Sequence, residues 1–242
     1  MAQYDGVVLV AGATGGVGRR VVEFLRREGI QTRALVRDRS KAASLEKLGV
    51  ELFQVDLTSP DALKSLLPAL QGVKAVISAL GTRQPFNPNR GLRETDYLGT
   101  RRLVDAAKAA GVDHFILVST MGVRQHASVL HPLSLLFHPK WQAEAYLVRS
   151  GLTYTVIRPG GLVDSDEAFK QAPGYRHTPA LALARLDGEG GFQVLGRVHR
   201  QDVAEAMVKS LWTPATRNRI FDILDRSSIK PKAQGKILKD LF

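Results

Sequence analysis

Cysteine is absent from this chain of 242 residues. Without a thiol there is no disulfide, no thiolate metal site, no iron–sulfur cluster and no cysteine nucleophile. Long apolar runs are missing too. None approaches the roughly 20 residues a membrane-spanning helix needs. Met1-Ala2-Gln3-Tyr4-Asp5 leads straight into a short apolar run and then glycines, so no secretory signal is expected. Histidine shows no H-E-x-x-H or related spacing, and no metal site is expected. His126, His131 and His138 read as loop or surface residues at the mouth of a pocket. Helix-turn-helix, RRM and zinc patterns are absent as well, so specific nucleic-acid binding is not expected. These absences fit a soluble protein of the cytoplasm or an organellar stroma, with peripheral membrane contact left open.

Acids are the scarcer charge: 23 Asp+Glu against 34 Lys+Arg, a formal net charge of +11. Most bases lie among acids. After Asp225 the bases Arg226, Lys230, Lys232, Lys236 and Lys239 face only Asp240. That tail is a solvated surface, or it docks an acidic protein partner or an anionic membrane surface. Hydrophobic residues at 44% supply a core.

Val7–Ala11 is short, apolar and β-branched, as a strand buried on both faces must be. Gly12-Ala13-Thr14-Gly15-Gly16-Val17-Gly18 follows it. Val17, Val21, Phe24 and Leu25 then recur at helical spacing until Gly29. With a strand at Thr32–Val36 this makes a βαβ unit. The alternation continues through helix Lys41–Leu48, strand Val50–Val55, helix Asp61–Leu70, strand Lys74–Ala79, helix Gly91–Ala110 and strand His114–Ser119. Helix Lys140–Ser150 and strand Tyr154–Arg158 follow. Beyond residues 160–191, which read as a lid or substrate region, come strand Phe192–Leu195, helix Asp202–Leu211 and strand Ile220–Leu224. The expected fold is α/β, a Rossmann-like doubly wound parallel sheet of about seven strands. One domain is expected over residues 1–242, with 160–242 as a C-terminal appendage.

Gly12, Gly15 and Gly18 stand between a buried strand and an amphipathic helix, the context that gives a glycine motif its meaning. Glycine turns the chain sharply and lets the backbone approach a pyrophosphate. Thr14, Gly16 and Val17 complete the loop, and the helix presents free N–H groups to phosphate. At the end of the second strand stands Arg37, with Arg39 close by. A guanidinium there pairs with the 2′-phosphate of NADP, whereas an acid would bond the ribose of NAD. NADP(H) is therefore expected over NAD. Asp38 would argue the reverse if the register moved by one residue. Other strand ends converge on the same sheet edge. Asp56 and Leu57 are placed for the adenine, Ala79, Leu80 and Gly81 for the ribose and nicotinamide linkage. Ser119, Thr120, Pro159, Gly160 and Gly161 end the next two strands.

Four segments together resemble the atypical short-chain dehydrogenases/reductases. They are the glycine loop, Asp96 to Ala107, Phe115–Thr120, and Tyr154 through Gly161. More narrowly the chain is similar to the NAD(P)H-binding group of NmrA-like regulators, biliverdin reductase B-type flavin reductases and chloroplast translocon-associated dehydrogenase-like proteins, over about residues 5–225. The resemblance implies that Lys140, with Glu144 four residues on, is the lysine of the Y-x-x-x-K pattern and bonds the nicotinamide ribose. It also implies an active-site hydroxyl at Ser119 or Thr120. The tyrosine of that pattern belongs at 136, where this chain has Leu136, and Asp96 replaces a frequent asparagine. Two functions follow. One is NADPH-dependent reduction of a small planar acceptor such as a flavin or quinone, which takes its proton from solvent. The other is a non-catalytic NADP(H)-binding scaffold, redox-responsive regulator or assembly factor. Epimerase or isomerase chemistry is a third.

Overall fold

The computed structural model describes residues 4–123, 134–164, 181–184 and 196–225. The basic tail and the expected strand Phe192–Leu195 lie outside the described residues, as do His126, His131 and Tyr175.

Strand β1 (Val7–Ala11) lies inside the sheet, between β2 (Thr32–Val36) and β4 (Val73–Ser78). Its period of two sends Val8 and Val10 into one apolar cluster and Leu9 and Ala11 into the other. Both faces are thus covered, which is why the strand is apolar throughout. Around it run β2 (Thr32–Val36), β3 (Glu51–Gln54), β4 (Val73–Ser78), β5 (His114–Val118), β6 (Tyr154–Pro159) and β10 (Arg219–Asp225). The sheet order is β3-β2-β1-β4-β5-β6-β10, all parallel. An eighth strand, β8 (Leu181–Ala184), adds antiparallel to β10 at the edge. Most of residues 160–191, read from sequence as a lid or substrate region, lies outside the described residues. A small parallel pair, β7 (Gly161–Val163) with β9 (Arg197–His199), completes the strands described.

Helices α1 (Gly16–Arg27), α2 (Ala43–Glu46) and α6 (Arg200–Lys209) cover one face. Val17, Val21, Val22 and Leu25 of α1 meet Val203, Met207 and their neighbours on α6. On the other face lie α3 (Ala62–Leu70), α4 (Thr100–Ala109) and α5 (Ser134–Arg149), with Leu66, Leu103 and Leu147 fully buried. Each such leucine contributes roughly 1.5–3 kcal/mol by leaving water.

Three helices differ from the sequence reading. The stretch expected as helix Lys41–Leu48 is a 3₁₀ turn, Arg39–Lys41, and the single turn α2. Asp38 caps that 3₁₀ turn through Ser40, and Gly49 at φ +70° stops the chain soon after. The single helix expected over Gly91–Ala110 splits into a π-helical segment, Arg93–Gly99, and α4. The wide segment carries Thr95 and Asp96 on its buried side. Finally, α5, described from Ser134, runs through Pro139 rather than starting at Lys140. The carbonyl that proline leaves without an N–H is that of Leu135, whose residue is 73% exposed, so water satisfies it.

His114 opens β5 in the core. Its Nε2 lies 2.9 Å from Thr155 Oγ1, which itself donates to the Thr216 carbonyl at 2.9 Å. The imidazole is therefore the donor, and its Nδ1 has no partner among the described residues. Burial, aided by the Arg217 charge, lowers the His114 pKa to about 4. In the unfolded chain it returns to about 6.5. Above that value neither state carries the proton and there is no penalty. As pH falls from 6.5 to 4 only the unfolded state gains it, and stability should drop by about 3 kcal/mol. Urea denaturation at stepped pH should show this slope in the wild type and lose it in His114→Gln.

Candidate functional site

The parallel strands end along one sheet edge, and the turns there carry most of the expected residues. Gly12 leaves β1 at φ +74°, and a Cβ on it would lie 2.4 Å from the Ala79 carbonyl oxygen. Ala79 donates its N–H to Ala11 O at 2.9 Å. The first and fourth strand ends are thus bound backbone to backbone, with no room for a side chain. Gly15 turns the loop by donating to Gly12 O at 2.9 Å, and Arg19 N reaches Gly15 O to start α1. A Cβ on Gly18 would lie 2.2 Å from Gly12 O. Glycines 12 and 18 therefore fold the loop onto the helix. The first N–H groups of α1 have no intrahelical acceptor, and no acid stands in that turn. With the positive end of the helix dipole, this is a cradle for an anion that approaches the backbone. The residues present fit a dinucleotide pyrophosphate.

Arg37 follows β2 and is exposed. Asp38 is turned to another task. Its Oδ1 accepts from Ser40 N at 3.0 Å and Ser40 Oγ at 2.6 Å, and these bonds hold its carboxyl below the usual range. Arg39 points along the surface toward Glu46, 3.7 Å away. Asp56 Oδ1 accepts from Thr58 N and Oγ1 at 2.9 and 2.7 Å. Burial raises its pKa, but the Thr58 bonds together with the Arg90 and Arg37 charges bring the net shift below the usual value. Arg90, 3.8 Å from Asp56, is a neighbour that sequence reasoning missed. It comes from the loop after β4, and nothing in the local pattern links it to β3.

Leu57 is buried and supports Gly99, while its carbonyl accepts from Arg102 at 2.9 Å. Leu80 packs at the margin of the core, and Gly81 has open space around it. Ser119 is tied to β6 through its N–H on Ile157 O at 2.8 Å. Its hydroxyl is buried and has no partner among the described residues, as is true of Ser78. Thr120 is half-buried beside it. Gly160 has a packing reason to be glycine. A Cβ on Gly160 would lie 2.4 Å from Gly196 O, and Gly161 N donates to that oxygen at 2.9 Å. Pro159 accepts from Met121 N at 2.9 Å.

Lys140 on α5 meets Asp96 of the π segment in a close ion pair. Asp96 is almost fully buried, and its Oδ2 has no partner among the described residues. One turn further along α5, Glu144 accepts from Arg158 of β6 in two bonds of 2.9 and 2.5 Å, also buried. This pair ties α5 to β6 one helical turn from Lys140. Leu136, one turn before Lys140, is 37% exposed. Tyr146 does not replace it: it donates to Asp105 at 2.5 Å on the outer surface. His138 stacks near Trp141, with ring centroids 5.5 Å apart.

A doubly wound sheet with its glycine turn at the first strand end, and an ordered lysine opposite, defines the dinucleotide-binding folds of the short-chain dehydrogenase/reductase and epimerase kind. The chain belongs to the NAD(P)H-binding family, whose model matches residues 12–214. It is 33% identical over 221 residues to the photosystem II assembly factor Ycf39 of Cyanophora paradoxa, covering 91% of this chain and 64% of that protein. It is 36% identical over 226 residues to the chloroplastic protein TIC 62 of Pisum sativum, covering 84% of this chain and 40% of that one. The chain therefore spans less than two thirds of the length of these relatives. Among solved structures it is similar to ChuY, an anaerobillin reductase from Escherichia coli O157:H7. The TM-score is 0.71 and the identity 26%, over 93% of this chain and 99% of that one. These likenesses bear out the resemblance read from the glycine loop and the later strand ends. Among the described residues no group of His, Asp and Glu is placed to hold a metal, and no helix is long and apolar enough to cross a membrane.

Proposed function

We propose that this chain is an NADPH-dependent reductase of a planar, hydride-accepting small molecule, a flavin or a quinone. The carrying observation is the Lys140–Asp96 pair one helical turn from Leu136. The site keeps the lysine that would hold a ribose, and position 136 offers no phenol to protonate an alkoxide. In this reading the glycine loop and the first N–H groups of α1 bind the pyrophosphate, Arg37 binds the 2′-phosphate, and Lys140 binds the nicotinamide ribose. Ala79 to Gly81 and Pro159 to Gly161 line the passage of the cofactor, with Asp56 and Leu57 at its adenine end. The reduced nicotinamide, when bound, supplies a hydride. The Ser119 hydroxyl, with Thr120 beside it, orients an oxygen of the acceptor. Water at the pocket mouth provides the proton, because a reduced flavin or quinone is protonated by solvent without a positioned acid. The likeness to a solved anaerobillin reductase supports a reductase.

NADPH oxidation by the wild type is the test. Turnover is expected with a flavin or quinone and little or none with simple ketones and aldehydes. Robust ketone turnover, undiminished in Ser119→Ala and Thr120→Ala, would overturn the reading. A second reading rests on the apolar side chains of α5 that face outward, Leu135, Leu136 and Trp141, and on the relative described as an assembly factor. It is a non-catalytic NADP(H)-binding scaffold, and tight NADPH binding with no turnover across the panel would favour it. On either reading the protein works in cytoplasm or an organellar stroma, in line with its chloroplastic relative.

Arg37→Ala separates the nucleotides. Losing a charge-assisted pair with the 2′-phosphate should weaken NADPH binding by one to two decades, about 1.5–3 kcal/mol. NADH binding should barely move, as read by calorimetric titration. Equal losses would show that Arg37 does not read the phosphate.

A further inference from the structure

We propose that Arg200 is a ligand of the dinucleotide pyrophosphate, and that Asp164 holds it in place until the nucleotide arrives. This rests on the dinucleotide reading of the glycine loop. Gly16 is the first residue of α1 and Arg200 the first of α6. The two helices pack along each other on the same face of the sheet, which lays the arginine over the glycine. A Cβ on Gly16 would lie 2.8 Å from Cδ and 3.0 Å from Nε of Arg200. Gly16 thus has a function apart from turning the chain: its bare Cα leaves room for a guanidinium beside the N–H groups that receive phosphate.

Arg200 donates from Nη1 to Asp164 Oδ2 at 2.6 Å. Asp164, at the exit of β7, is more than half exposed and is also bound by Arg20 Nη2 at 3.1 Å. Arg20 is itself held on α1, donating from Nη1 to Gly16 O at 2.7 Å. Two guanidinia and one carboxylate leave a net positive charge at a helix end that is already positive. An exposed carboxylate pair is worth at most about 1 kcal/mol, whereas phosphate takes a guanidinium in strong, paired hydrogen bonds. A pyrophosphate on the loop therefore draws Arg200 from Asp164. Arg20 keeps Asp164, so the exchange strands no charge.

Because NADPH and NADH share the pyrophosphate, Arg200 acts on both, unlike Arg37. Calorimetric titration of the full chain with each nucleotide tests this. Arg200→Ala should weaken both by about tenfold, and Arg200→Lys should recover part of the loss. Asp164→Asn, which releases Arg200, should tighten both, by up to about fivefold. Urea denaturation should find all three variants folded. A purely structural ion pair predicts the opposite sign for Asp164→Asn, and weakened binding in that variant would overturn the exchange. Unchanged affinity in Arg200→Ala would overturn the assignment while leaving the glycine loop intact. A wild type that binds neither nucleotide would remove the site reading and this proposal together.

Discussion

Gly12→Ala should abolish nucleotide binding, while Gly29→Ala should leave it intact. Both residues have positive φ, +74° and +73°. Forcing alanine into that region costs about 1–2 kcal/mol in either place. The difference is what surrounds them. A Cβ at 29 meets nothing within 4 Å, but at 12 it meets Ala79 O at 2.4 Å and Ala79 C at 2.7 Å. Those atoms belong to backbone at the end of a buried strand and have nowhere to go. The loop must open, and the N–H groups of α1 then lose their fixed relation to the sheet edge. At least a hundredfold loss of NADPH affinity is expected in Gly12→Ala, about 3 kcal/mol. Gly18→Ala should behave in the same way, because its Cβ would lie 2.2 Å from Gly12 O. Titration beside urea denaturation makes the check. Full binding in Gly12→Ala would mean the loop is not the cradle.

Glu144→Ala should produce the largest loss of stability, about 3 kcal/mol, by removing from the buried Arg158 guanidinium the carboxylate that accepts two of its hydrogen bonds. The pair is two-pronged, at 2.9 and 2.5 Å, with side chains only 4% and 12% exposed. A natural domain has about 5–15 kcal/mol in total, so the variant should lie near its unfolding threshold. The replacement pair Glu144→Leu with Arg158→Met should regain much of the loss, since a well-packed apolar pair matches a buried ion pair in stability. Yet the double variant should bind NADPH more weakly than the wild type. Lys140 is one helical turn from residue 144, on the helix that the ion pair ties to β6. Urea midpoints that do not move in Glu144→Ala would show that solvent reaches Arg158.

The alternation of buried strands with amphipathic helices was legible because each signal is local. Val7 to Ala11 is apolar on both faces, and Val17, Val21 and Leu25 repeat at helical period. The right-handed crossover narrows the orders those elements can adopt, and the folded sheet takes the order β3-β2-β1-β4-β5-β6-β10. The glycine turn was legible for the same reason: strand, turn and helix are contiguous. Asp38 shows where the local pattern ends. Its carboxylate accepts two bonds from Ser40, and only the folded turn reveals them. Helix α5 was expected from Lys140 and instead runs through Pro139, because the cost of a proline depends on whether its freed carbonyl reaches water.

What depended on the residues and their order alone was the family of folds and the glycine turn between β1 and α1. What only the tertiary structure decided was pairing between distant residues. Lys140 and Asp96 are 44 positions apart, Arg158 and Glu144 are 14 apart, and Arg200 and Asp164 are 36 apart. No periodicity connects such residues. They meet because the crossover topology brings α5 beside the π segment, β6 beneath α5, and α6 alongside α1. The energy of each pair depends on how much water the packing removes, a quantity that exists only in the folded chain.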